Sequence, residues 1–142
     1  MPTEGGKEIQ LTRNGGAGAL ESPDGKSIYY YTLSSDALSS WESRSIRKMP
    51  LSGGEESQVL PSVLVFSLVK EGIYFIPPSS LIPGPPFRKS SIQFLSFVTG
   101  EVKTVAPTSA PFGDLSFSPD GFLLFSQIDQ VKSDLMLVEN FR

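Results

Sequence analysis

The sequence predicts an all-β fold, a β-propeller fragment of about three four-stranded antiparallel blades. Three observations predict it: a segment that recurs along the chain, a turn motif that recurs between its copies, and an apolar β-prone run after each turn. Fixed repetition with four short strands per period is typical of propeller blades. No segment shows convincing helical periodicity.

The recurring segment is clearest at the start of the chain. Met1 to Gln10 and Met49 to Gln58 share the pattern M-P-x-x-G-G-x-E-x-Q, at an offset of 49 − 1 = 48 residues. A weaker copy lies at Val98 to Val105. Glycine turns between β-prone runs are typical hairpin connections, so each copy is expected to join a third strand to a fourth. The predicted turn glycines are Gly53, Gly54 and Gly100.

The second repeated motif is the turn S-P-D-G, which occurs twice at an offset of 118 − 22 = 96 residues, or two periods of 48. Proline presets φ for entry into a turn, aspartate bonds the backbone ahead of it, and glycine takes the φ > 0 position. A degenerate copy, Lys70-Glu71-Gly72, lies between the two. The predicted turn residues are Ser22, Pro23, Asp24, Gly25, Gly72, Ser118, Pro119, Asp120 and Gly121.

These turns divide the chain into predicted strands of one partial propeller domain, residues 1–142. A strand at 7–12 would belong to a preceding blade, and blades follow at about 19–61, 63–107 and 113–142. A β-sandwich is the alternative fold, but strands that are apolar on both faces suit a blade packed between two neighbours. The predicted strands are Ala19–Ser22, Ser27–Leu33, Ser45–Leu51, Ser57–Leu60, Phe66–Val69, Ile73–Ile76, Ser91–Phe97, Val102–Ala106, Asp114–Ser118, Phe122–Gln127 and Asp134–Val138.

With S-P-D-G followed by an apolar strand and then a G-G turn, the chain resembles the TolB-like β-propeller repeat family. Its last residues, Asp134 to Arg142, are similar to the ends of bacterial proteins that join such a propeller to a signalling kinase or winged-helix domain. The resemblance implies a propeller. It also implies a role in protein binding, because members of the wider family bind proteins, whereas some propellers of this type sit on serine peptidases.

Composition excludes several classes of site. Without histidine or cysteine there is no Ser-His-Asp triad, no thiolate nucleophile and no cysteine metal site. There is no G-x-S-x-G elbow and no phosphate loop. We therefore expect no enzyme activity, no cofactor and no metal. Asp24 and Asp120 offer oxygens that suit calcium, but capping of their own turns is the interpretation we adopt.

The charge and hydropathy of the chain bear on its partners and location. The net charge of −3 with scattered basic residues indicates no nucleic-acid partner. No apolar run is long enough for a membrane helix, and Met1 to Gln10 lacks the apolar core of a signal peptide. The chain as written is therefore expected to be cytoplasmic and not to bind membranes.

Binding is predicted on the face of the propeller that carries the long insertions, 34–44, 77–90 and 128–133, because variable loops on a rigid scaffold carry function. The candidate residues are Trp41, Arg44, Phe87, Arg88 and Lys89, since tryptophan and arginine are typical interface anchors. The predicted function is a non-enzymatic protein-binding scaffold. The alternative is an accessory propeller domain or remnant of a propeller-bearing serine peptidase.

The number of predicted blades has a consequence for assembly. Propellers usually close with about four to eight blades, and this chain supplies about three. The expected partners of the open ends are the missing blades of a parent propeller or a second copy, two copies forming a six-bladed ring. The chain alone is therefore not expected to be a stable monomer.

Overall fold

The computed structural model describes residues 5–6, 8–33, 44–78, 89–109, 111–118 and 120–127. Within these ranges all regular structure is β, and no helix that could cross a bilayer is found. The strands are β1 (Ala17–Glu21), β2 (Ser27–Leu33), β3 (Arg44–Pro50), β4 (Ser57–Leu60), β5 (Val65–Val69), β6 (Gly72–Ile76), β7 (Lys89–Ser96), β8 (Val102–Ser109), β9 (Pro111–Phe117) and β10 (Leu123–Gln127).

The strands form three sheets in chain order. The first sheet has the order β1-β2-β3-β4, the second β5-β6-β7-β8, and β9 pairs with β10 in the third. Every pairing is antiparallel. Consecutive four-stranded meanders are the arrangement of propeller blades, so the predicted fold class is confirmed. The third strand expected in the last blade, Asp134–Val138, lies outside the described residues.

The two complete sheets have the same register irregularity. In the first sheet the pairing of β3 with β4 shifts between Ile46 and Arg47, and in the second the pairing of β7 with β8 shifts between Ile92 and Gln93. Tyr30 pairs with Arg47 as Phe75 pairs with Gln93. The sheets are therefore structural repeats in which residues correspond one to one across the third and fourth strands.

Each sheet packs face to face on the next. We call the face of a sheet that points to the following sheet its forward face, and the opposite one its rear face. Tyr29 and Ile46 on the forward face of the first sheet join Phe66, Ile73 and Phe75 on the rear face of the second in one buried cluster. Apolar side chains therefore fill the space between the first two sheets.

The second and third sheets meet in the same way. Val65, Ile76 and Ile92 form a second buried cluster with Leu115, and Tyr74 stacks on Phe117 at 5.4 Å between ring centroids. Because successive residues of a strand point to opposite faces, the apolar run of β6 supplies side chains to both clusters. This explains why the strand does not alternate between apolar and polar residues.

One predicted strand is not formed. Residues 8–12, most of the strand expected over 7–12, have no regular structure. Strand structure requires a partner for its backbone groups, and no described strand pairs with this segment. Local β-propensity was therefore not sufficient to form a strand there. Inside the blades, two predicted strands, Ser27–Leu33 and Ser57–Leu60, coincide with β2 and β4. The bounds of the others that fall in the described ranges differ from the observed ones by one to three residues at one or both ends.

Candidate functional site

The antiparallel order of the strands creates two rims. The turns at 22–26, 51–56, 70–71, 97–101 and 118–122 join first to second or third to fourth strands, so they share one rim, which we call the tight-turn rim. The strand ends at 33, 44, 60, 65, 76, 89, 109 and 111 lie at the opposite end of the sheets. We call that end the long-loop rim.

On the tight-turn rim, the first S-P-D-G turn is closed by its own side chains. The Ser22 hydroxyl donates to Asp24 Oδ1 over 2.6 Å, and the Lys26 N–H donates to the same oxygen over 3.1 Å. The bond from Ser22, then that from Lys26, lowers the pKa of Asp24. The Asp24 carboxylate therefore stabilises its own turn. No group of three or more acidic, histidine or cysteine residues that could hold a metal ion occurs within the described ranges.

The second copy of the motif makes a shorter turn. Ser118 N–H donates to the Phe122 carbonyl over 2.8 Å, whereas the Ser22 N–H reaches one residue further along its turn, to Ser27, also over 2.8 Å. Pro119 lies outside the described residues. Most of the predicted turn glycines have positive φ: Gly25 (68°), Gly53 (87°), Gly54 (138°), Gly100 (71°) and Gly121 (87°).

Gly72 has a different role from the one its motif predicts. It is the first residue of β6, after the turn at 70–71, and it pairs with Val69 and Ser96. A Cβ at this position would lie 2.1 Å from the Leu95 carbonyl oxygen and 2.6 Å from the Phe94 ring. Glycine is required here because β7 passes so close.

The predicted binding residues divide into described and undescribed ones. Trp41, Phe87 and Arg88 lie outside the described residues. Arg44 begins β3 and pairs with Leu33, and Lys89 begins β7 and pairs with Ser109. Both basic residues therefore begin the third strand of their sheet, at the long-loop rim. The register makes Ser90, and not Lys89, the counterpart of Arg44 in the second sheet.

Arg44 is part of a cluster at the long-loop end of the first interface between sheets. Its guanidinium carbon lies 5.4 Å from the centroid of the Tyr31 ring. That ring meets Phe66 of the second sheet edge to face, with 4.8 Å between centroids and 80° between planes. The Tyr31 hydroxyl accepts a hydrogen bond from the Phe66 N–H over 3.1 Å. The aromatic contacts hold the Tyr31 ring against which the Arg44 cation lies.

The electrostatics of Tyr31 connect this cluster to the third sheet. Burial raises the pKa of Tyr31, the Phe66 N–H and the Arg44 charge oppose that rise, and the Asp114 charge adds to it. Asp114 belongs to β9, so charged groups from the first and third sheets act on a single phenol. The arrangement offers a cation, a carboxylate and an aromatic surface, which are groups suited to recognition.

Sequence reasoning missed Gly18, which positions Tyr31. The segment from Arg13 to Gly18 reads as a connection between blades, yet β1 already begins at Ala17. Gly18 has φ +58°, and a Cβ there would lie 2.7 Å from Tyr31 Cδ2. The β1–β2 pairing is irregular between Ala17 and Leu20. The glycine-rich composition around Gly18 was the available signal, but it did not indicate which glycine meets a ring.

Comparisons with known proteins give one finding. The chain matches no protein-family model and no curated protein. Among solved structures it is similar to a protein of Agrobacterium tumefaciens that is named provisionally as a TolB, with a TM-score of 0.55 and 17% sequence identity. The chain has a TolB-like β-propeller fold. The match covers 83% of this chain but 46% of that one, so the chain spans less than half of the structure it resembles.

Proposed function

We propose that the protein is a non-enzymatic propeller scaffold that binds a protein partner on the long-loop rim. The observation that carries the proposal is the placement of Arg44, whose guanidinium lies against the half-buried ring of Tyr31 at the end of the first interface between sheets. Arginine held against an aromatic ring loses less conformational freedom on binding than a free one, and such anchors dominate interface energies.

Several features support the rim as the site. Lys89 begins the third strand of the second sheet, as Arg44 begins that of the first, and Trp41, Phe87 and Arg88 belong to the insertions that join the strand ends there. Long loops over a rigid sheet scaffold are common binding surfaces. The chain has no histidine and no cysteine, which supports recognition over the chemistry of hydrolases or thiol enzymes.

The test compares two sets of variants in a partner capture followed by a quantitative binding assay. Trp41→Ala, Arg44→Ala and Arg88→Ala change the long-loop rim. The exposed residues Lys26, Glu71 and Lys103, changed to alanine, are the matched set on the tight-turn rim. We expect each change at the long-loop rim to weaken binding about tenfold or more, as for interface anchors, with the other set near wild type.

Folding must be checked separately, because Arg44 also packs on Tyr31. Thermal melts of all variants serve this purpose, and Gly25→Val, which strains a positive-φ turn, is expected to lower the melting temperature. Normal capture by folded variants of the long-loop rim would show that the binding face is assigned wrongly. Turnover of an ester, peptide or phosphoester substrate by the purified chain would contradict the non-enzymatic role.

A further inference from the structure

The two ends of the stack of sheets differ, and the difference lies in three residues of the first sheet. Tyr30 and Arg47 are paired as Phe75 and Gln93 are in the second sheet. Glu56 precedes Ser57, the partner of Lys48, as Val102 precedes Lys103, the partner of Phe94. We call Tyr30, Arg47 and Glu56 the rear cluster. In the second sheet these residues therefore correspond to Phe75, Gln93 and Val102.

The rear cluster is internally bonded. The Tyr30 hydroxyl donates to Glu56, and Arg47 Nη1 donates to Glu56 Oε1 over 2.8 Å. Tyr30 is only 1% exposed although no described sheet lies behind it. Gly16 contributes to this, since a Cβ there would lie 3.0 Å from the Tyr30 ring. The phenol and the ion pair thus bond to one another on this face.

The connections that lead into the first and second sheets also differ, because only the second brings an apolar side chain. Val63, in the connection before the second sheet, is fully buried in the cluster between the first two sheets. The residues just before β1 are Gly15 and Gly16, which bring no apolar side chain. An apolar sheet packed on the rear face of the first sheet would also bury the Arg47–Glu56 pair, and such desolvation is costly.

The forward face of the third sheet has the opposite character. Leu124 follows Leu123 in β10 as Tyr74 follows Ile73 in β6, and it pairs with Ser116. Tyr74 is covered by Phe117, and its counterpart Tyr29 by Phe97. Leu124 is 55% exposed, and nearby Phe122 is 67% exposed. The position that is covered in both earlier sheets is thus open in the third.

We propose that the forward face of the third sheet binds a propeller sheet with an apolar rear face, one that carries phenylalanine at the place of Phe75. The rear cluster prevents the first sheet of a second copy from filling that role. Both interfaces between sheets in the chain join a forward face to an apolar rear face, and a polar rear face discriminates against this pairing. This inference is independent of the binding role of the long-loop rim.

The absence of native cysteine permits a clean cross-linking test in the full chain. Ser116 lies on the forward face of the third sheet as the partner of Leu124. Ser45 lies on the rear face of the first sheet, two residues before Arg47 and hydrogen bonded to Thr32. S45C and S116C are introduced together into the wild-type chain and into a chain that also carries Y30F, R47Q and E56V, which transplants the residues of the second sheet. Each protein is treated with a bismaleimide cross-linker, because residue 116 lies on a first strand and residue 45 on a third strand, farther apart than the roughly 7 Å between Cα atoms that a direct disulfide allows.

We expect no bridge between positions 45 and 116 of different molecules in the wild-type background. In the transplanted background we expect this bridge, mapped by mass spectrometry, and a dimer mass by light scattering. Adding Leu124→Lys should abolish both. R47Q with E56Q, a milder change that removes the ion pair, is run in parallel in case the transplanted chain does not fold, and should also raise the yield of the bridge.

Three outcomes would overturn the proposal. The first is an equally frequent 45–116 bridge in the wild-type background, which would mean that the rear cluster does not prevent the first sheet of one copy from binding the third sheet of another. The second is the absence of a bridge in both modified backgrounds although circular dichroism shows native β-structure. The third is a bridge between two copies of position 116, which would mean that forward faces bind each other.

Discussion

The hydroxyl of Tyr31 in the first sheet accepts a hydrogen bond from the backbone N–H of Phe66 in the second, over 3.1 Å. Phe66 lies in β5, an edge strand of the second sheet, one side of which has no neighbour within its own sheet. A side chain of one blade thus satisfies a backbone group at the edge of the next, next to the apolar cluster that joins the two sheets.

Replacing Tyr31 by phenylalanine should therefore weaken the interface between the first two sheets. The ring remains, but the Phe66 N–H loses its acceptor, and an unsatisfied buried donor costs about 1–3 kcal/mol. Urea unfolding followed by circular dichroism measures the change. Tyr29→Phe is the matched control, because the described contacts of Tyr29 are made by its ring. Equal losses in the two variants would contradict the role of the hydroxyl.

Val63 and Val98 offer the same substitution in opposite environments. Val63 is fully buried between two sheets, whereas Val98 is 88% exposed in the turn between β7 and β8. Val63→Ala should lower the free energy of unfolding by about 2 kcal/mol through lost burial and the cavity left behind. Val98→Ala should change it by less than about 0.5 kcal/mol. A small effect at Val63 would mean that the connection repacks.

The rear cluster should make stability depend on pH on the acid side. The bond from the Tyr30 phenol, with the nearby Arg47 charge, lowers the pKa of Glu56 from its ordinary value of 4.5. A lowered pKa gives a contribution that is present above that ordinary value and is lost as pH falls through the folded-state pKa. The stability gap between wild type and Glu56→Gln should thus narrow on acidification below about 4.5. If the difference in stability between wild type and Glu56→Gln stayed constant from neutral to acidic pH, the proposed link between the pKa of Glu56 and stability would be contradicted.

At alkaline pH the rear cluster should affect stability through the hydroxyl of Tyr30. Burial, and then the hydrogen bond and charge of Glu56, raise the pKa of Tyr30 from 10.0 to about 12. A raised pKa gives stability that is complete below the ordinary value and is lost as pH rises through the folded-state pKa. Tyrosinate absorbance in wild type minus Tyr30→Phe should show this late titration. A difference curve centred at the ordinary pKa of tyrosine would show that burial and Glu56 do not raise the pKa of Tyr30.

The elements that the sequence predicted best are those that begin directly after a turn motif. The strands expected at Ser27–Leu33 and Ser57–Leu60 coincide with β2 and β4, because the S-P-D-G and G-G turns fix locally where these strands begin. The segment at 8–12 has comparable β-propensity but no partner strand. Whether such a segment forms a strand depends on pairing with a distant segment, which cannot be predicted from its composition.

The candidate site was predicted only in part for a related reason. Loop length indicated the long-loop rim and Arg44, but alternation alone shows only that Tyr30 and Tyr31 point to opposite faces. Which face meets another sheet, and hence which tyrosine holds Arg44 and which holds Glu56, depends on how the sheets stack. Val63, two residues after Pro61 in a short connection, reads as a loop residue because two separate sheets create its burial.

Gly18 and Gly15 separate backbone strain from steric contact at the candidate site. Both have positive φ, +58° and +77°, so alanine at either position should cost about 1–2 kcal/mol in strain. No atom lies within 4 Å of a Cβ at Gly15, whereas at Gly18 the Cβ would approach the Tyr31 ring to 2.7 Å. Gly18→Ala should therefore cost more than Gly15→Ala in urea unfolding.

The same pair also tests whether the position of Tyr31 matters for the long-loop rim. The Tyr31 ring cannot yield toward Phe66 without disturbing the contact with Arg44. Gly18→Ala should thus expose the phenol and move its raised pKa back toward the ordinary value, while Gly15→Ala leaves it unchanged. Partner binding should weaken in the first variant only, measured where both remain folded. Equal stability, titration and binding in the two variants would show that Gly18 does not position Tyr31.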